Sequence, residues 1–180
     1  MAHTLQRPIE RATKGDTRAF QELFELLVER LFAYAFSHTK EEHSAEDIVQ
    51  ETLVELWDAL PSFSYEGDPQ FYKYVYTILK RKIMWYRSDR SRQSLVELTE
   101  EHEHLLSETP VYEDYRHLGS LIDRLSETYR EILRLRYWAS LSFAEIAATL
   151  DINENAAKVR HHRALKQLQG LLSTHEQRSY

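Results

Sequence analysis

The chain has no cysteine, which excludes disulfides, thiolate metal sites and cysteine nucleophiles. Glycine and proline are scarce, four of each in 180 residues, so breaks are few and an almost entirely helical protein is expected. No apolar run approaches the roughly 18 residues of a bilayer-spanning helix. The N-terminal MAHTLQRPIERATKGD lacks the apolar middle of a signal peptide, so a cytoplasmic protein without membrane insertion is expected. Also missing are a nucleophile elbow, a phosphate loop and a catalytic carboxylate pair. The only metal-like cluster is His102, Glu103 and His104, in a stretch without a stable scaffold. Neither an enzyme nor a cofactor or metal site is expected.

What is present divides into three. Residues 8–92 carry amphipathic helices. AFQELFELLVERLFAYAF, from Ala19, places Phe20, Leu23, Phe24, Leu27, Leu31 and Tyr34 at helical spacing. A second helix is expected from about Ser44, where Ser44 and Asp47 have the spacing of a capping box, to about Leu60, before Pro61. PSFSYEGDPQ (61–70) holds two of the prolines and reads as a shaped loop. A third helix is expected from about Phe71 to Arg87 or beyond. Residues 93–115 are acidic, with no Lys or Arg from Ser94 to Asp114, and read as a flexible linker. Helical periodicity returns over 116–174. The fold class is therefore all-α: two small helical domains joined by an acidic linker.

The last of these segments contains LSFAEIAATLDINENAAKVRHHRALKQL. Ser142 and Glu145 form a capping box, predicting a short helix from Phe143. Asp151 stands where the turn needs a left-handed residue, which Asp tolerates. Asn153 is a good N-cap for the next helix. At 100° per residue, Ala157, His161, Ala164, Leu168 and Leu171 share one face, and His161 reads as a packed, hydrogen-bonded histidine at the core's edge. Asn155, Val159, His162 and Lys166 lie opposite, flanked by Lys158 and Arg163. Such a helix, presented by a shorter partner, suits the major groove. Asn155 would bond a base edge and Val159 touch a thymine methyl; Lys158, Arg160, Arg163 and Lys166 would hold phosphates. The plain alternative is a solvated basic face on a helical hairpin.

The net charge is −6, so any DNA contact must rest on clustered cations rather than on overall charge. In the second helix, Val49, Leu53, Leu56 and Leu60 form the expected buried stripe. Asp47, Gln50, Glu51, Val54 and Asp58 form the other face, which is either solvated or a docking face for a basic helix. In the third, Phe71, Tyr74, Val75, Ile78 and Trp85 are the expected core face. Lys73, Lys80 and Arg87 line the far side, Tyr76 projects between them and Arg81 adds charge. Cations interleaved with aromatics suit single-stranded DNA, by phosphate neutralisation and base stacking. A solvated basic face is again the alternative.

GDTRAFQELFELL, SAEDIVQETLVELWDALPSF and LSETYREILRLRYWASLSFAEIAATLDINENAAKVRHHRALKQL, in that order, resemble the second and fourth regions of a bacterial RNA polymerase sigma factor of the extracytoplasmic-function type. The resemblance covers nearly the whole chain. It implies a protein that binds core RNA polymerase and directs promoter recognition and melting. Asp47, Gln50, Glu51, Val54 and Asp58 would meet the clamp coiled coil of the β′ subunit, and the fourth region the β flap. Phe63 and Tyr65, in the loop, would cradle a base flipped from the non-template strand of the −10 element. Lys73, Tyr76, Lys80, Arg81 and Arg87 would follow that strand. Asn153, Asn155, Lys158, Val159, Arg160, His162, Arg163 and Lys166 would read the −35 element. The acidic linker would thread the polymerase's RNA path, and an anti-sigma protein is the expected regulator. Many relatives have Trp at Tyr74, Asn at Arg81 and Asp at Trp85, so −10 preference here is expected to be unusual. The competing function is a conventional helix-turn-helix regulator binding duplex DNA as a dimer.

Overall fold

The structure, a computed structural model, describes residues 5–96 and 121–176. Seven α-helices are named here: α1 Gln6–Ala12, α2 Thr17–Thr39, α3 Glu42–Ala59, α4 Asp68–Val96, α5 Glu127–Tyr137, α6 Phe143–Thr149 and α7 Glu154–Glu176. A 3-10 turn, Leu60–Ser62, follows α3, and no strand occurs among the described residues. Most of the expected linker, and the His102–His104 cluster with it, lies outside the described residues.

Asp16 caps α2, its carboxylate accepting from the Arg18 and Ala19 amides at 3.0 and 3.1 Å. The Ala19 amide first, then the Arg11 guanidinium and the Arg18 amide, hold the carboxyl below its usual pKa. Helix α2 ends at Lys40, a left-handed residue with φ 61°. Leu23, Leu27, Leu31 and Tyr34 are fully buried, at the spacing that one helical stripe requires. Against them pack Val49, Leu53 and Leu56 of α3 and Phe71, Val75 and Leu79 of α4. The α3 stripe agrees with expectation, but its cap does not. Helix α3 starts two residues before Ser44 with Glu41 as N-cap, and the Ser44 hydroxyl donates to Glu41.

Short α1 was not expected as an element. Ile9 and Ala12 bury it against the bundle, and the Leu5 amide donates to Asp68 Oδ1 at 3.0 Å. Helix α4 begins inside the expected loop, at Asp68, and runs into the expected linker.

In the C-terminal unit, Ser142 Oγ accepts from the Glu145 amide and Glu145 Oε2 accepts from the Ser142 amide at 2.6 Å, completing the capping box. Asp151 adopts φ 53°, and Asn153 Oδ1 accepts from the Ala156 amide at 2.7 Å. Ile132, Leu135, Ile146, Ala157 and Ala164 close this unit's core. The two units pack together: α6 lies along α4, and α5 touches α2, so that one apolar cluster runs through both.

Candidate nucleic-acid interface

Helix α7 turns its apolar face inward, burying Ala157, Ala164 and Leu168. Asn155, Lys158, Val159, His162, Arg163 and Lys166 are exposed and Arg160 half-buried. Val159 keeps 48% of its surface. Lys158 pairs with Glu154 one turn earlier at 2.7 Å. Asn153 is exposed, and its side chain forms the expected cap. His161 is held as expected, with Nε2 3.1 Å from the Tyr137 hydroxyl and its ring against Tyr137 and Phe143. Burial, then the charges of Arg136 and His162, lower its pKa.

The α4 surface differs from expectation in two ways. Tyr76 does not project; it is wholly buried, its ring edge-on to Tyr34 of α2 at 5.2 Å. Trp85, expected in the core, is 75% exposed beside exposed Met84. It stands beyond Ile78, where Leu79 and Ile83 are the only buried residues up to Arg90. The lysines of the stripe are also engaged. Lys80 meets Glu131 of α5 at 2.5 Å, and Lys73 pairs with Asp151. Arg81 pairs with Glu55 of α3, which turns it toward the acidic face of α3 and away from the stripe. Arg87 donates to His38 Nδ1 at 3.0 Å.

The loop before α4 is pinned rather than open. Phe63 packs on Phe71 and Tyr74, with ring centroids 5.8 and 5.1 Å apart. The Tyr65 hydroxyl donates to Asp68 Oδ1 at 2.5 Å. Gly67 has φ 132°, a conformation that a residue with a Cβ resists.

On α3, Asp47, Gln50, Glu51, Val54 and Asp58 are all exposed. With Glu55 and Lys82 they line one concavity of about 510 Å³. Lys82 reaches Glu51 at 3.0 Å and Glu55 at 3.5 Å. Sequence reasoning missed the neighbouring groove between α2 and α3, of about 840 Å³. Phe20, Phe24, Val28, Phe32, Leu53 and Trp57 line it, and it shares Gln50 and Val54 with the acidic concavity. Phe24 was expected in the core but is 40% exposed. The available signal was Val54, an apolar residue in the middle of an acidic face.

Comparison with known families identifies the two units. The family description "Sigma-70 region 2" matches residues 23–93, and "Sigma-70, region 4" matches residues 115–168. RNA polymerase sigma factor SigV of Bacillus subtilis is 31% identical over 145 residues, 75% of this chain and 80% of SigV. The chain belongs to the sigma-70 family, in its extracytoplasmic-function branch. The ECF RNA polymerase sigma factor BldN of Streptomyces coelicolor is 28% identical over 170 residues. That match takes in 91% of this chain, which spans 64% of BldN's length. The sigma-70 fold is also seen in the structure of CnrH in complex with the cytosolic domain of CnrY. CnrH has a TM-score of 0.71 and 24% identity, covering 93% of this chain and 96% of CnrH.

In this family member the seam between the region 2 and region 4 units is polar at one end. Glu131 accepts from the Tyr34 hydroxyl at 2.8 Å and meets Lys80. Arg134, a buried arginine, reaches Asp123 at 3.3 Å and lies 3.4 Å from His38 Nδ1. His38 sits among these groups. Burial first, then the charges of Arg134, Arg87, Lys80 and Lys40, pull its pKa down to about 2. It is therefore neutral, and its 3.8 Å approach to Glu131 is not an ion pair. Among the described residues no group of His, Asp and Glu is placed to hold a metal ion, and no helix is long and apolar enough to cross a membrane.

Proposed function

We propose that the chain is an alternative sigma factor, which binds core RNA polymerase and directs promoter recognition, melting and initiation at a specific set of promoters without catalysing a reaction itself. The observation that carries this reading is the exposed face of α7. Its polar and basic residues point outward from a helix whose entry is fixed by the Ser142–Glu145 capping box and the Asn153 cap. That is the geometry by which a helix-turn-helix enters a major groove. Asn155 and Val159 would contact bases of the −35 element, while Lys158, Arg160, His162, Arg163 and Lys166 would contact its backbone and groove edges.

The concavity of Asp47, Gln50, Glu51, Val54 and Asp58 would take the β′ clamp coiled coil, with region 4 on the β flap. An acidic rim beside an apolar groove fits a helical partner that is basic at its margins and apolar at its centre. The domain limits 8–92, 93–115 and 116–174 belong to the same reading, as does action in the cytoplasm, where the polymerase works. So does an anti-sigma regulator: the RpoE neighbour of Bartonella quintana, with a TM-score of 0.62, was solved with its anti-sigma factor NepR.

The test is transcription by purified core polymerase on a pool of randomised promoters, with and without the protein. Initiated promoters with two spaced elements are expected. Asn155→Ala with Val159→Ala should relax −35 preference by about 1–3 kcal/mol per lost base contact. If no transcript starts, and the protein alone retains a palindromic duplex, the conventional dimeric regulator replaces this reading.

A further inference from the structure

We propose that His38 is a proton-sensitive clasp between the two units: its neutral ring gathers Arg87 of α4 and Arg134 of α5, and a proton on that ring parts them. The proposal rests on contacts within this chain and is independent of what the two units bind.

Arginine offers donors only, so its contacts decide the state of the ring. Arg87 and Arg134 both approach His38 Nδ1, at 3.0 and 3.4 Å. Nδ1 is therefore the bare nitrogen, and Nε2 carries the hydrogen. One acceptor on α2 thus holds a guanidinium from each unit, in a place where a carboxylate would serve at any neutral or mildly acid pH. An imidazole serves only while it is neutral. A proton on Nδ1 turns the acceptor into a donor and leaves two guanidiniums facing a third cation.

The surroundings offer that proton no compensation. Lys40, at the end of α2, adds its charge, and the Tyr34 ring lies 4.7 Å from the imidazole. Helix α4 contributes Lys80 beside Arg87, and α5 contributes Glu131 beside Arg134. Glu131 Oε2 is 3.8 Å from Nε2, but Glu131 is already engaged by Lys80 and the Tyr34 hydroxyl. Asp123, which precedes α5, serves Arg134, Lys40 and Arg130. The imidazole side chain is only 6% exposed, and its Nε2 is buried without a hydrogen-bond partner. Water therefore cannot take up the charge. Burial and like charge both oppose a proton on the closed chain, and separation of the units relieves both. Protons thus favour the separated arrangement. With an exposed histidine as its reference, the ratio of separated to closed chains rises about 30-fold from about pH 7.5 to about pH 5, and about 300-fold by about pH 4.

The absence of native cysteine allows a direct test on the full chain. Spin labels on Lys14→Cys, after α1, and Gln167→Cys, on α7, report the spacing of the two units. Nitrogen NMR of the histidine rings in unlabelled chain reports the tautomer and charge of His38. Both are followed from about pH 7.5 to about pH 4. The comparison is His38→Asn, whose amide oxygen stands near the Nδ1 position, accepts from arginine and does not titrate.

The parent is expected to show the Nε2–H tautomer and one short distance at neutral pH. As pH falls, the ring should take up its proton in the same step in which a longer distance appears, while His38→Asn keeps the short distance through that step. A ring that charges and a distance that lengthens at different pH values overturn the clasp, as does a parent still closed at about pH 4. Lengthening at the same pH in His38→Asn as in the parent assigns the opening to carboxylates and also overturns it. If His38→Asn is already separated at neutral pH, the parent alone decides, by whether charging and lengthening coincide.

Discussion

On α7, Arg163 and Lys166 point into solvent with no partner among the described residues, and His162 stands exposed beside them. On α4, every cation from Lys73 to Arg90 is held by a side chain of this same protein: Asp151, Glu131, Glu55, Glu51, His38 or Glu41. Both helices are long and basic, and sequence periodicity treats them alike. The difference is that α7 lies at the edge of its unit, whereas α4 is the wall on which the other unit rests. A cationic stripe is thus open to a ligand at once only where the fold leaves it without internal partners.

The largest disturbance of this contrast is expected at Tyr34, fully buried at the seam and bonded to Glu131. Tyr34→Ala removes a core aromatic and should cost about 3–5 kcal/mol in urea unfolding. A cost near that of an exposed residue would mean that the seam is not packed as described.

Acid is the next lever. His38 titrates near 6.5 when exposed and at about 2 in the folded protein. The unfolded or opened state therefore binds more protons between those values. Stability is full above about pH 6.5 and falls as pH drops below it, by up to about 2 kcal/mol at pH 5. His161 is shifted in the same direction, so the isolating measurement is the pH slope of His38→Gln against the parent. An unchanged slope would remove His38 as the cause.

Asn153→Ala should cost about 1 kcal/mol through loss of the cap, and should weaken duplex −35 binding more than single-strand binding, which makes the α7 side of the contrast measurable. Trp85→Ala should change stability by less than about 0.5 kcal/mol, because its ring is largely in solvent. A larger loss by thermal unfolding would show that the far end of α4 is covered after all.

What the sequence made legible was local. The Ser142–Glu145 box, the Asn153 cap, the left-handed Asp151 and the α3 stripe each depend on residues within a turn or two of one another, and all were found. Ser44 shows the limit of that logic, since Glu41 lies within reach and wins the hydroxyl. Tyr76 and Trp85 were exchanged for a different reason. Helical phase assigns a face to each residue but does not say which stretch of that face has a neighbour. Tyr76 packs on Tyr34, some forty positions earlier, and Trp85 lies beyond its neighbours. The partners of the α4 cations are likewise remote, with Lys73 and Asp151 separated by 78 positions, so no window of sequence could pair them. The apolar groove on α2 and α3 was missed because Phe24 and Phe32 fit a core pattern equally well.

The α3 concavity has a consequence for timing. Its residues stay exposed while the C-terminal unit lies across α4, so the two proposed docking events are not equivalent at the outset. A helical partner that docks on α3 therefore finds its platform complete without any movement of the C-terminal unit, whereas a ligand for the cations of α4 must first displace side chains of this same chain. The order in which two partners can be taken up is thus written into which helix is left uncovered.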